Sequence, residues 1–537
     1  MLGSIIVLIV YLFILTYLGY LGFKHTKTSA DYLVGGRQIH PLIMAISYGA
    51  TFISTSAIVG FGGAAGTLGM GLLWLTFLNI FFGIFIAFVV FGKRTRKMGH
   101  NLDAHTFPEL LGNRFNSKFI QGFAGIIIFL FMPIYTAAVL KGGSDFIQTH
   151  FGISYEISLL FFAAVVAIYV WMGGLKGVMY TDAFQGGIMF IGMAFLIIYV
   201  YSKLGGITSA HTQLNSLFDK PEVQEQTAKL IKGGFQGWTS MPKSGSPIWW
   251  SLVSTIVMGV GIGVLAQPQL VVRFMTVKSN RELNRAVVSG GIFIIMMTGV
   301  AFVVGSLSNV LFFKETGKIA LVAAGGNDKI IPSFIKMFVP SWFGIVFFLS
   351  LISAAMSTLS SQFHAMGTAV GRDIYEKALS KKGNSILITK TGILVAILLS
   401  VILAFLANKL DTSMQIIATG TAMFFGLCAA SFLPAYISAL YIKKISTKAV
   451  IAGMITGFVI GVFWIFFVHE KEASSLQLCM AIFNKTSIVK DTGLAKLAMV
   501  DPIIIALPAS IIATVIGAFT SKVNLPKKHI DECFNGI

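Results

Sequence analysis

Long apolar runs alternate with short polar and charged segments along the whole chain. Runs such as Gly122–Val139 and Ile386–Leu406 far exceed a soluble strand and match the length of a membrane crossing. About 20 apolar residues span the hydrocarbon as a helix, because only then is every backbone N–H and C=O satisfied without water. An outer-membrane barrel would show alternating segments of about ten residues instead. The pattern predicts thirteen spans, at 3–22, 41–68, 71–92, 119–140, 154–172, 181–202, 248–275, 286–312, 336–369, 387–407, 413–440, 446–467 and 500–520. The expected fold class is all-α integral membrane, a single membrane domain over residues 1–520 with a short basic tail at 521–537.

Charge placement gives an independent test of that count. With the N-terminus outside, successive loops alternate out and in and the C-terminus lies inside. On that scheme 25 basic and nine acidic residues fall inside, leaving +16 there, while 15 basic and twelve acidic residues leave +3 outside; together they make the net +19 of the chain. All eight arginines (Arg37, Arg94, Arg96, Arg114, Arg273, Arg281, Arg285 and Arg372) fall inside. One missed or extra helix would move every later cluster to the wrong face and destroy this positive-inside pattern. The expected location is therefore the plasma (inner) membrane, multi-pass, with the N-terminus outside and the C-terminus cytoplasmic.

Composition narrows the function. Only 11% of residues are charged, against about a quarter in soluble proteins, and mean hydropathy is +0.83. A pI of 9.7 does not indicate nucleic-acid binding here, since the basic residues are spread over several inner loops where they face anionic headgroups. No P-loop, H-E-x-x-H or G-x-S-x-G occurs, and the spans hold almost no acids, so an enzyme is not expected. Met1–Phe23 has no basic residue before its apolar run and reads as a retained first helix rather than a cleavable leader. Cys428, Cys479 and Cys533 fall in a span, outside and inside respectively, which indicates neither a disulfide nor a Cys-rich metal site. No obligate protein partner is indicated, and the expected surrounding is the lipid bilayer.

Glycine marks the next level. Span two carries Gly49, Gly60, Gly62, Gly63 and Gly66, and span seven carries Gly259, Gly261 and Gly263 followed by Pro268. Close helix packing through small residues accounts for such spacing in many membrane proteins. The alternative is that both helices are broken. Spans two and seven are five apart, so two five-helix units starting there enter from opposite faces, and glycine-interrupted helices at matching positions point to a transporter's central site.

Span nine adds chemistry. Ala354, Ser357 and Thr358 lie at i, i+3 and i+4, on one helical face, near the middle of the bilayer when counted at 1.5 Å per residue; Gly49–Thr55 of span two lies at the same depth. Serine and threonine in membrane helices often bond only their own i−4 carbonyls. An alkali cation, however, needs five or six hard oxygens from carbonyls and hydroxyls. A break after Gly49 would free the carbonyls of Ala50 and Ile53. Together with the Ala354 carbonyl and the hydroxyls of Ser357 and Thr358, these would form a five-oxygen cage without formal charge.

The chain resembles the sodium:solute symporter family. The matching segments are Tyr32-Leu33-Val34-Gly35-Gly36-Arg37 leading into Ser47-Tyr48-Gly49-Ala50-Thr51, Thr106-Phe107-Pro108-Glu109, and Gly173-Gly174-Leu175-Lys176-Gly177. They continue through Thr181-Asp182-Ala183-Phe184-Gln185-Gly186, Gln267-Pro268, Val272-Arg273-Phe274, Ala354-Ala355-Met356-Ser357-Thr358-Leu359-Ser360 and Asp373-Ile374-Tyr375. The resemblance implies a five-plus-five inverted-repeat core of the leucine-transporter type in spans two to six and seven to eleven, with spans one, twelve and thirteen peripheral. It also implies a sodium ion bound by Ala50, Ile53, Ala354, Ser357 and Thr358. Asp182 matches the family's aspartate on the intracellular sodium exit route; an alternative is a helix N-terminal charge that complements the macrodipole.

Solute contacts are expected at the two breaks, from Thr51, Phe52 and Ser54 in span two and Val260, Val264 and Gln267 in span seven, with capping of the break an equal alternative for Gln267. Some amino-acid carriers of the family have an acid where this chain has Phe52, and aromatic residues where it has Val260 and Val264. The expected function is therefore sodium-coupled symport of a small polar solute, first a pantothenate- or monocarboxylate-like carboxylate, with a proline-like amino acid as the alternative. A passive channel would normally show a filter motif, and a membrane sensor a further signalling domain. Asn79, Tyr135 and His364 are expected to make helix–helix hydrogen bonds, and Lys141 and Asp145, four apart, to pair.

Overall fold

The computed structural model describes residues 2–381, 385–409 and 416–537. Among these, regular structure is helical throughout. In chain order the long elements are α1 (Leu2–Lys24), α2 (Pro41–Phe52 and Ser56–Leu68, halves α2a and α2b), α3 (Met70–Asn101) and α4 (Lys118–Phe151). They continue with α5 (Tyr155–Ile168), α6 (Gly173–Lys203), α7 (Pro247–Ala266, then Pro268–Phe274 as α7b) and α8 (Asn280–Thr316). The last are α9 (Ser341–Ala378), α10 (Ile386–Lys409), α11 (Ile417–Tyr441), α12 (Thr447–Val468) and α13 (Pro502–Thr520).

Eleven of these helices are each long and apolar enough to cross a membrane, and α2 passes the same test as a pair bent by 54°. The thirteenth predicted span is α5, which is shorter than a full crossing and runs into α6 through Gly174 (φ 57, ψ −170). A side chain there would be strained and would place its Cβ 2.7 Å from the Tyr32 ring, so glycine both turns the chain and admits the neighbouring ring. Span nine starts later than expected. Residues Ile330–Phe338 form a separate short helix, and α9 begins only after Pro340, because a residue before proline disfavours helical backbone. The predicted start of span eleven, 413–415, lies outside the described residues.

Loop contacts follow the predicted alternation of faces. On one face Arg37 meets Asp103 at 2.9 Å, Arg96 meets Asn280 at 2.8 Å, Arg372 meets Glu109 at 2.8 Å and Asn101 reaches Asn535 of the tail at 2.9 Å. On the other, the Trp238 indole donates to Gly66 at 2.8 Å, and Gln226 donates to Gly317 at 3.0 Å. Each pair joins segments that thirteen crossings put on the same side. Enclosure varies strongly: 94% of an 18-residue apolar stretch of α11 and 78% of that of α9 are buried, against 22% for α1 and α13. The most enclosed helices are those that carry the candidate site.

Candidate functional site

α2a starts at Pro41 behind a His40 cap and stays helical to Phe52. Ile53 then adopts an extended conformation (φ −90, ψ 97), its N–H still donating to the Gly49 carbonyl at 2.8 Å. The break therefore falls at Ile53 rather than after Gly49. Gly49 serves a different purpose, since a Cβ there would lie 2.4 Å from the Phe293 ring. Ending α2a at Phe52 leaves the next carbonyls without intrahelical donors, and side chains of α9 take their place. The Ser357 hydroxyl donates to the Ala50 carbonyl at 2.8 Å and lies 3.3 Å from that of Ala354; the Thr358 hydroxyl donates to Thr51 at 2.9 Å.

Ala50, Ile53, Ala354, Ser357 and Thr358 are all buried. The structure thus brings the predicted face of α9 onto the α2 break. The partner of Thr358 is the Thr51 carbonyl, one helical position from the pattern read in the sequence, and the Ile53 carbonyl is not an acceptor of either hydroxyl. The donor set remains hard oxygens without formal charge, which fits a sodium ion: each hydroxyl can turn its proton away and offer a lone pair beside the Ala50 and Ala354 carbonyls.

One turn further along both helices the chemistry changes. Arg273 of α7b and Asp182 of α6 form a fully buried ion pair at 2.9 Å. Ser47 and Thr51 of α2a donate to Asp182 at 2.9 and 3.1 Å, and Ser360 of α9 lies 3.3 Å from its second oxygen. The guanidinium also donates to Ser47 at 3.1 Å and Ser361 at 2.6 Å. One arginine thereby ties α7b to α2a, α6 and α9. Asp182 lies well inside α6 and is paired, so its environment is an ion pair rather than a helix N-terminus.

On the other side of the break lies a narrow cavity, lined by Phe52, Ile53 and Ser54 with Asn79, Tyr135, Val260, Thr298, Thr421 and Phe425 among others, none of them charged. Of the expected solute contacts, Phe52, Ser54 and Val260 line it. Thr51 faces Arg273 instead. Val264 packs beside Gly83, and Gln267 turns back to the Gly263 carbonyl at 3.3 Å. Phe52 stacks on Phe425 with ring centres 6.1 Å apart, and Tyr135 meets the same ring edge-on.

Two of the hydrogen-bonding expectations need correction. The Asn79 carbonyl oxygen and both His364 ring nitrogens complete no hydrogen bond among the described residues; Asn79 faces the cavity, and His364 tilts against Tyr32. The Tyr135 hydroxyl reaches Ser54 only at 3.5 Å, whereas Lys141 and Asp145 pair at 2.8 Å as expected. Arg273 is also one of the eight arginines that mark topology. An arginine within an apolar span is itself a signal of function. Thr421 and Phe425 carried no such signal, because they sit in an ordinary apolar run.

Residues 32–457 match the sodium:solute symporter family. The chain is 27% identical over 495 residues to sodium/proline symporter 2 of Staphylococcus saprophyticus, covering 89% of each chain. It is 30% identical over 476 residues to the sodium/proline symporter of Staphylococcus aureus, covering 86% of this chain and 85% of the relative. Among solved structures, a Na+-coupled sialic acid symporter in a substrate-bound outward-open state superposes with a TM-score of 0.74 at 20% identity, over 97% of this chain and 99% of that one. A nucleobase-cation-symport-1 family transporter in a closed conformation gives a TM-score of 0.51 at 12% identity, over 94% and 99%. These structures share the fold.

Proposed function

The chain belongs to the sodium:solute symporter family, and from that premise we propose that it is a carrier, not an enzyme, that couples inward movement of sodium to uptake of a small carboxylate-bearing solute. The multi-pass fold and the family are those of a membrane transporter; the cage, the solute and the orientation (N-terminus outside, C-terminus cytoplasmic) are our reading.

The observation that carries it is the continuity of one broken turn. The carbonyls of Ala50 and Thr51 meet the α9 hydroxyls, and the next residues, Phe52 to Ser54, line the cavity. An ion held between α2a and α9 would fix the wall against which a solute binds, so each ligand would favour the arrangement the other needs. α2b begins at the cavity, and the N-terminal end of a helix favours a carboxylate. The Arg273–Asp182 pair closes the route one turn beyond the cage and must open for ions to pass. Asp182 is the acid on that path.

Pantothenate- or monocarboxylate-like anions are one reading. A proline-like zwitterion is a second, favoured by the names of the relatives and by a cavity lined without formal charge. Coupling energetics separate the two. One Na+ entering across 100 mV supplies about 2.3 kcal/mol, and a tenfold sodium gradient about 1.4 kcal/mol more. A zwitterion carried one-to-one can then accumulate several-hundred-fold, whereas a monoanion cancels the moving charge and reaches about tenfold.

Proteoliposomes given labelled proline, pantothenate or a short monocarboxylate should accumulate one of them only with sodium outside. An inside-negative potential should raise the ratio for a zwitterion and leave it nearly unchanged for a monoanion. Equal uptake in choline would exclude symport.

A further inference from the structure

Away from the solute route, three metal-ligating side chains meet where α12 ends and α13 begins. His469 follows α12 directly, Glu472 lies three residues on in the short helix Glu470–Leu476, and Asp501 caps α13 by accepting the Ile503 N–H at 3.0 Å. One ligand atom from each lies within 4.8 Å of the other two, and His469 Nδ1 is 3.3 Å from Glu472 Oε2. The residues are 3%, 0% and 2% exposed. His469 Nδ1 and Glu472 Oε2 face each other, whereas the other Glu472 oxygen and the second Asp501 oxygen complete no hydrogen bond among the described residues.

Buried polar atoms are almost always satisfied, and buried carboxylates are normally paired or coordinate a metal. Lys471 lies close enough to attract both acids, which adds positive charge beside them. We propose that His469, Glu472 and Asp501 bind one divalent first-row transition cation, for which Zn2+ is the natural probe. An imidazole nitrogen with two carboxylate oxygens suits zinc and its neighbours, whereas magnesium and calcium take oxygen ligands alone. Three protein ligands leave a further position for water.

The location gives the ion a structural consequence. A Cβ on Gly259 of α7 or on Gly426 of α11 would lie 3.7 Å from Asp501 Oδ1. Asp501 is thus wedged against two helices next to the solute cavity, and a bound ion ties the α12–α13 connection to them.

The test uses the purified full-length protein, its affinity tag removed, stripped with a chelator and titrated with ZnCl2 in excess Mg2+. About one Zn2+ should be retained per chain, with a rise in melting temperature. His469→Ala, Glu472→Gln and Asp501→Asn should each weaken retention at least tenfold, while His211→Ala leaves it unchanged. Co2+ titrated into the wild-type protein gives a readout that needs no variant: the intense d–d bands of a four- or five-coordinate site. No zinc above background, equal retention in His469→Ala, or only the weak spectrum of six-coordinate cobalt would each overturn the proposal.

Discussion

The breaks in α2 and α7 are built from similar sequence and do different work. Both lie four residues beyond a glycine and both leave one residue extended, Ile53 in α2 and Gln267 in α7 (φ −74, ψ 115). At α2 the freed carbonyls are met by hydroxyls from another helix, so they stay available to an ion. At α7 the chain caps itself: Gln267 donates to Gly263 at 3.3 Å and accepts from Gln269 at 3.2 Å. Gly263 allows the close approach of α11, since a Cβ there would lie 2.7 Å from the Phe425 backbone oxygen. The α7 break acts as an elbow that aims Arg273 at α2a. A helix break keeps its carbonyls open to other helices only when the chain does not cap them itself.

The largest test of this contrast is Arg273→Ala. It removes what the α7 elbow delivers and leaves Asp182 buried without its cation, an arrangement that costs ~3–5 kcal/mol. Thermal unfolding in detergent should show that loss, and Arg273→Met with Asp182→Leu should recover most of it. If Arg273→Ala is as stable as wild type, the pair does not hold the helices together.

A counterpart outside the spans responds to pH. Burial opposes ionisation of Glu109, but the His105 contact and the Arg372 guanidinium of α9 outweigh it and hold the carboxyl at about 2, below its ordinary 4.5. A group whose folded pKa is depressed stabilises the protein above its unfolded value and loses that contribution as pH falls through the folded one. The contribution should therefore be full above pH 4.5 and disappear towards pH 2. The shift corresponds to ~3 kcal/mol. Acid unfolding of Glu109→Gln should lack this component, and identical acid profiles would refute it.

Ser357→Ala with Thr358→Ala sharpens the α2 side. Both hydroxyls leave while helix propensity is preserved. Sodium-dependent stabilisation should fall about a hundredfold in affinity, equivalent to ~2.7 kcal/mol, with expression retained. Unchanged affinity would move the ion elsewhere. The smallest effect belongs to the self-capped break: Gln267→Ala should cost ~1 kcal/mol for one lost hydrogen bond and leave sodium affinity as it was. A sodium defect in this variant would erase the distinction between the two breaks.

Much of this was legible in the chain. Run length and charge alternation predicted the crossings, and the loop contacts respect that alternation. The i, i+3, i+4 spacing put Ala354, Ser357 and Thr358 on the face that meets α2. The register of the break was not legible, because Gly49 looked like the weak point while its carbonyl keeps the Ile53 N–H and its missing side chain makes room for Phe293. In the sequence Arg273 is one of eight arginines that fit the inner loops, and only the elbow at Gln267 carries it inward to Asp182.

What the sequence determined by itself was the membrane class, the order of the spans and the helical face of α9 that meets the α2 break, since hydrophobic run length, charge and helical spacing are local properties of a chain. Which carbonyl each hydroxyl reaches, and which break stays open, was decided by the tertiary structure. Those partners come from elements as far apart as 307 residues, and a shift of one residue in where a helix ends changes which oxygens are free.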